Sequence, residues 1–325
     1  MAAEMTRRPD VSIVVCTFNR ETSLRLTLAS LEAQQTPSDL AWELVVVNNN
    51  SADATGLVIE EFSTTARVPV RSLFVAEQGL SHARNAGVAH SHGGIVGFTD
   101  DDVHPAPDWV ARVAATLGRT GADILGGRIL PVWHEPPPSW LEHSAFHGVL
   151  TIMDHTTATE IVNAHRTPGV WGANMAFRRE VFERVGLFDT RRGLQGTRRY
   201  GGEDTELVER ALAAGCRVVY DPAVVVWHRI GRERMRLRYL SRVYFERAEG
   251  AARVRPPVKR RTLFGVPVGM LWGTAKHAGR WLEAVALRRP DRIQRWLNCC
   301  WAVGALWGAC RRRLEGSAGA SRPYA

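Results

Sequence analysis

Three consecutive aspartates, Asp100, Asp101 and Asp102, follow the apolar run GGIVGF and precede VHPAPDW. Neighbouring carboxylates repel one another unless a positive charge sits among them. Asp100 and Asp102, one residue apart at a strand end, can hold a divalent cation while the intervening side chain points elsewhere. Mg²⁺ in such a setting takes one or two protein carboxylates and fills its shell with phosphate oxygens and water. Two plainer readings compete: a solvated turn, or the cap of the helix expected in PAPDWVARVAATL. Asp108 is better placed to cap that helix, so capping leaves the triplet unexplained.

The segments around the acids read as alternating strands and helices. VSIVVCTF (11–18), WELVVVN, VRSLFVAE (70–77) and GGIVGFTDDD (93–102) are short β-branched apolar runs of the kind buried in parallel sheets. TSLRLTLASLEAQ (22–34) and GLSHARNAGVAHS (79–91) carry helical spacing between them. This alternation predicts right-handed βαβ units and a doubly wound, mainly parallel sheet. Ligands in such sheets collect outside the carboxyl ends of the strands. Three polar clusters fall there: Thr17–Asn19, Asn48–Ser51 and Asp100–Asp102. From about 121 to 200 the pattern loosens, with GADILGGRILPVW as one or two strands and HEPPPSW as a loop. It sharpens again in GGEDTELVERALAAGCRVVYDPAVVVWH, read as loop, helix, strand, turn at Asp221-Pro222, and strand.

Seven segments in one order, VSIVVCTFNR, VVVNNNSAD, GLSHARNAG, FTDDD, WGANMAFRREVFERVGLFD, GGEDTELVERALAAG and YDPAVVVWH, resemble the family 2 glycosyltransferases. These are inverting, nucleotide-sugar-dependent enzymes of the GT-A fold, and the resemblance covers residues 11–245. It implies a GT-A sheet flanked by helices, a nucleoside-diphosphate-sugar donor and a divalent cation, Mg²⁺ or Mn²⁺. Carried over residue by residue, Asp100 corresponds to the ribose-side aspartate and Asp102 to the metal ligand, with His228 completing the metal or diphosphate site. Asp101 stands between them as a solvent-facing bystander at the donor site. Thr17 and Asn19 line the base and ribose pocket, and Arg84 holds the nucleotide base or its surroundings. Asn48 replaces an acid common in the family, and Asn49 stands where the base is read; an amide can match both the donor and the acceptors of uracil. A UDP-sugar is therefore favoured, with dTDP and GDP as alternatives. Glu203 and Asp204 match an acidic pair in which Asp204 takes the acceptor's proton and Glu203 orients the acceptor or a loop. Trp171, Gly172 and Asn174 match a segment lining the donor-sugar and acceptor cleft.

Composition sets the remaining bounds. A hydrophobic content of 45% and a charged content of 23% describe a chain with a real core rather than a disordered one. Of the 42 Lys+Arg, 21 lie in 231–325 with 6 of the 33 Asp+Glu, so this tail carries +15 and residues 1–230 carry −6 (21 − 27). The basicity belongs to the tail, which argues against nucleic acid as the partner of the whole chain. The expected organisation is a catalytic domain over 1–230 and a basic, Trp-rich helical extension over 231–325, with VRPPVKRR as a linker inside the extension. Its two apolar stretches, 262–287 and 296–310, are interrupted or short against the roughly 20 residues a membrane span needs. Trp edged by Arg instead suits a helix lying in the interface of an anionic membrane, with packing on the protein's own core as the plainer alternative. The five cysteines show no CxxC pair, and MAAEMTRRPD has no apolar segment of a secretory leader. The expectation is a cytoplasmic enzyme attached peripherally to the inner face of the cell membrane, using a saccharide or lipid-linked hydroxyl acceptor in cell-surface polysaccharide or glycolipid assembly. Two alternatives stand beside it. A nucleotidyltransferase would need a Gly-rich phosphate loop where CTFNRETS has none. A non-catalytic scaffold would not need Asp100, Asp102, Asp204 and His228 together.

Overall fold

The computed structural model describes residues 8–141, 144–155, 158–162, 170–254, 262–263 and 266–319. The extreme start of the chain and residues 255–261 of the expected linker lie outside the described residues. The β-branched runs form strands and the helical-period segments form helices in the order β1 (Val11–Thr17), α1 (Glu21–Glu32), β2 (Trp42–Asn48), α2 (Thr55–Thr65), β3 (Val70–Phe74), α3 (Leu80–His90) and β4 (Ile95–Asp100). Strands β3, β2, β1 and β4 lie side by side in that order, all parallel. The register pairs Thr17 with Asn48 and Cys16 with Asp100, so three polar strand ends stand at one edge.

Past β4 the sheet becomes mixed. β5 (Val103–Pro105), α4 (Trp109–Thr120), β6 (Ile124–Trp133), β7 (Glu160–Val162), β8 (Met175–Arg178), α5 (Arg179–Val185), β9 (Leu194–Gln195), β10 (Arg198–Arg199), α6 (Glu203–Ala213) and β11 (Val218–Ile230) follow. β8 inserts antiparallel between β4 and β6, and β11 runs parallel to β6. β5 and β7 pair antiparallel with β11 at different levels. GADILGGRILPVW is one strand. The turn expected at Asp221-Pro222 is a bulge within the single strand β11, whose register to β6 shifts between Asp221 and Val225. Proline, which cannot donate to a ladder, is accommodated at such a bulge. Asp221 fixes it by accepting hydrogen bonds from Thr116 Oγ1 (2.8 Å) and the Ala223 amide (3.0 Å).

Two further expectations change. Asp108 stands at the N-cap position of α4 but makes no capping bond; its carboxylate pairs with Arg112 Nε at 2.6 Å. Asn174, expected in the cleft, is 1% exposed. Its Nδ2 donates to the carbonyls of Arg128 and Val224, and its Oδ1 accepts from Trp109 Nε1, each at 2.9 Å. An amide saturated in the interior is a core tie, because every buried polar atom must find a partner.

The chain divides into two compact units. The first, residues 1–134, 151–190 and 203–230, holds the large sheet and its helices. Its core joins the fully buried β1 and β2 residues Ile13, Val14, Leu44 and Val46 to a cluster of Phe98, Phe177, Phe182 and Phe188 rings. The second unit, residues 135–150, 191–202 and 231–325, contains the hairpin of β9 and β10 with α7 (Leu237–Val254), α8 (Val268–Ala286) and α9 (Arg292–Gly319). α9 meets α7 backbone to backbone: a Cβ at Gly304 or Gly308 would collide with the carbonyl oxygens of Phe245 and Glu249. Glu249, 0% exposed, is compensated by Arg311 Nη1 at 3.0 Å and Arg198 Nη1 at 3.5 Å. Trp272, Trp301 and Trp307 remain 74%, 44% and 52% exposed. Among the described residues, no helix is long and apolar enough to cross a membrane.

Candidate active site

The acid cluster is positioned by strand pairing. β4 ends at Asp100, and Asp101 and Asp102 turn the chain into β5. β5 pairs with β11 so that Val103 faces His228, which brings the imidazole to Asp102. His228 Nε2 lies 3.5 Å from Asp102 Oδ1, with both side chains nearly excluded from solvent. Arg20, at the start of α1, places Nη1 3.3 Å from the other oxygen of Asp102. The Arg229 amide donates to the Asp102 carbonyl at 3.0 Å.

The triplet divides differently from the expected pattern. Asp100 is the more open acid, with a side chain 35% exposed, whereas Asp101 is 9% exposed. The solvent-facing role expected of Asp101 is therefore corrected. Burial, together with the Asp102 charge beside it, pushes the Asp101 carboxyl up to about 7. Burial pushes the Cys16 thiol up to about 12, with the Asp100 and Asp101 charges adding to that and Arg84 opposing it.

Arg84 joins this edge to the second acidic pair. It is 3% exposed and sits on α3, whose small residues let it pack closely on the sheet. Its Nη1 lies 2.6 Å from Glu203 Oε1 and its Nη2 3.6 Å from Asp100 Oδ1, with the guanidinium 5.6 Å from the centre of the Phe188 ring. Arg84, expected to hold the nucleotide base or its surroundings, is paired internally with these two acids. Burial raises the Glu203 pKa and the Asp204 charge adds to that, while Arg84 opposes both. Gly172 closes the arrangement, since a Cβ there would collide with Arg84 Nη2. Its amide donates to Asp204 Oδ2 at 3.0 Å, and the Thr205 amide donates to Oδ1 at 2.7 Å. Asp204 is thus the second residue of α6 rather than its cap. One run of contacts leads from Asp204 through Gly172 and Arg84 to Asp100.

At the β1 and β2 ends, Thr17, Asn19, Asn48 and Asn49 come together as a braced pair of loops. Asn19, with φ 51°, accepts from the Ala52 amide at 2.7 Å, and its own amide donates to Ser51 Oγ at 3.0 Å. Asn48 Oδ1 accepts from the Ser51 amide at 3.0 Å. Asn49, expected to read the base, has its whole amide engaged. Nδ2 donates to the carbonyls of Val75 and Glu77, and Oδ1 accepts from the Gly79 amide at 2.8 Å and from Gln78 Nε2 at 3.3 Å. Thr17 is buried, and Trp171 is partly buried against the core. Arg20 was not singled out from the sequence. It directly follows the FN of the first strand end, but its partner stands 82 residues later, which no local pattern reveals.

Among the described residues, no three His, Cys, Asp or Glu side chains gather into a closed metal cage. The residues present nonetheless fit a divalent cation of the open kind. A carboxylate oxygen of Asp102 and an imidazole nitrogen of His228 face each other, beside a second buried acid, Asp101.

Removing one partner of a buried ion pair leaves the other stranded. Arg84→Met should cost about 3–5 kcal/mol in urea denaturation, and Arg84→Met/Glu203→Leu should recover much of the loss. Additive losses in that cycle would show the pair to be uncoupled.

The family model for glycosyl transferase family 2 matches residues 12–186, more than half of the chain. The glucosyl-dolichyl phosphate glucuronosyltransferase of Haloferax volcanii is 28% identical over 224 residues, 68% of this chain and 69% of the relative. The succinoglycan biosynthesis protein ExoM of Rhizobium meliloti is 25% identical over 244 residues, 75% of this chain and 74% of the relative. The solved mannosyltransferase PcManGT from Pyrobaculum calidifontis, in complex with GDP-Man and Mn²⁺, superposes with a TM-score of 0.53 at 20% identity, over 98% of this chain and 77% of that one. That likeness fits the mixed sheet to the GT-A architecture, and with the family match it makes the chain a glycosyltransferase that belongs to glycosyl transferase family 2.

Proposed function

We propose that the site moves one sugar from a nucleoside-diphosphate-sugar donor to a hydroxyl acceptor with inversion, and that a divalent cation assists it. The observation that carries this reading is the contact run from Asp204 through Gly172 and Arg84 to Asp100. It ties a carboxylate able to accept a proton to the strand end where the donor's ribose and phosphates would lie. Asp102 and His228 would hold the cation, which supplies Lewis-acid stabilisation of the departing diphosphate. Asp204 then receives the acceptor proton as that oxygen attacks the anomeric carbon from the side opposite the leaving group. Two backbone N–H groups hold its carboxylate in place. A UDP-sugar is the favoured donor on the strength of the family resemblance. An amide at Asn48, where an acid is common, can match both the donor and the acceptors of uracil.

The helical unit supports a second element of the proposal, attachment to an anionic membrane surface on the cytoplasmic side, where a lipid-linked saccharide would be the acceptor. Trp272, Trp301 and Trp307 are exposed on helices of a tail carrying +15, a combination that suits the headgroup layer. Polysaccharide or glycolipid assembly is the matching role.

With UDP-, GDP- and dTDP-sugars and Mn²⁺, donor turnover read by NMR should yield the inverted sugar product. Asp204→Asn and Asp102→Asn should each slow it by about 10²–10⁴-fold. Retained configuration, or equal rates in all three proteins, contradicts the reading; no turnover in any of them returns the scaffold alternative. In flotation assays the full chain should rise with phosphatidylglycerol vesicles at low salt and lose that binding at high salt. A Trp272→Ala/Trp301→Ala/Trp307→Ala variant should stay below. Wild type left in the bottom fraction at both salt levels would exclude membrane attachment through this surface.

A further inference from the structure

We propose that Arg20 is a resident counter-cation of the site: it holds Asp102 before loading, yields the carboxylate to the incoming divalent cation and then meets the donor's diphosphate. The proposal rests on the reading of Asp102 as the cation's carboxylate.

Arg20 is poorly explained by local stability. It occupies the N-cap position of the 12-residue helix α1, where Ser, Thr, Asp and Asn are favoured, and its side chain makes no capping bond. A cation is also disfavoured at the positive end of a helix. The residue is nevertheless firmly seated, since its amide donates to Thr55 Oγ1 at 3.1 Å. The guanidinium reaches Asp102 Oδ2 at 3.3 Å.

Two contacts of the Asp102 carboxylate, with His228 and with Arg20, differ in freedom. His228 has a side chain 2% exposed, inside β11, and is fixed by the sheet. The Arg20 side chain is 41% exposed on a long flexible stem and can leave. A divalent cation on Asp102 would stand within a few ångströms of the guanidinium, where the two positive charges repel strongly in a partly buried setting. A diphosphate bridging to that cation brings negative oxygens to the same place, and the displaced fork is suited to them. The exchange therefore makes cation and nucleotide bind cooperatively, as linked equilibria require.

The test compares full-length wild type, Arg20→Gln and Arg20→Lys by EPR titration with MnCl₂ alone and by calorimetry with UDP and GDP at saturating Mn²⁺. Thermal melts in EDTA confirm that each protein is folded. Removing a unit charge beside a partly buried ligand should tighten Mn²⁺ binding to the nucleotide-free Arg20→Gln protein by about tenfold. Losing a charge-assisted contact should weaken nucleoside diphosphate binding by about tenfold. Arg20→Lys should move both constants in the same directions by less. If wild type binds Mn²⁺ and Arg20→Gln binds it equally or more weakly, the counter-cation role is overturned while the metal reading stands. Absence of Mn²⁺ binding in wild type overturns both.

Discussion

A buried arginine holds this site together. Arg84 lies in the first unit of the chain with almost no access to water, and a charge in that position persists only when matched by carboxylates in good geometry. Glu203 supplies the close partner and Asp100 the more distant one. These acids come from α6 and from the end of β4, more than a hundred residues apart in sequence. The same guanidinium leaves no room for a side chain at Gly172, and that glycine's amide aligns Asp204. A single cation thus fixes the separation between the β4 end of the sheet and Asp204, the proposed proton acceptor. The stability of the pair and the geometry of the chemistry have one cause.

The gathering of acid in a chain with a basic surplus follows from the same economy of charge. Asp100 leans on Arg84, Asp102 on Arg20 and His228, and the Asp101 carboxyl is raised toward neutral pH between them. The basic surplus lies in the helical unit, where it supports the proposed contact with an anionic surface rather than the charge balance of the site. Glu249 in that unit repeats the device: a fully buried carboxylate draws Arg311 of α9 and Arg198 of the hairpin onto α7.

Much of the scaffold was legible in the sequence. The β-branched runs of β1, β2 and β4 and their polar ends announced a parallel sheet and the edge where ligands collect, because burial on both faces leaves that pattern directly in the residues. The mixed half was less legible. β8 enters antiparallel between strands distant in sequence, and β11 absorbs Asp221-Pro222 as a bulge held by Thr116, a partner 105 residues away. The site residues divide along the same line. Asp102 and His228 come together as the order of motifs implied. Asn49, Asn174 and Arg84 instead direct their polar atoms into loop, core and ion-pair contacts set by tertiary packing, which residue type alone does not encode. Arg20 shows the reverse case, an unremarkable surface-type residue given meaning by a partner from another strand end.

The most direct measurement of the central claim is a crystal structure of the full chain with UDP and Mn²⁺ bound. The account predicts the cation on Asp102 and His228, the ribose beside Asp100, and the Arg84–Glu203 pair intact. It also predicts the Asp204 carboxylate facing open space on the far side of the diphosphate. Nucleotide bound away from the β1 and β4 ends, or Asp204 turned from it with Arg84 released from Glu203, would contradict it.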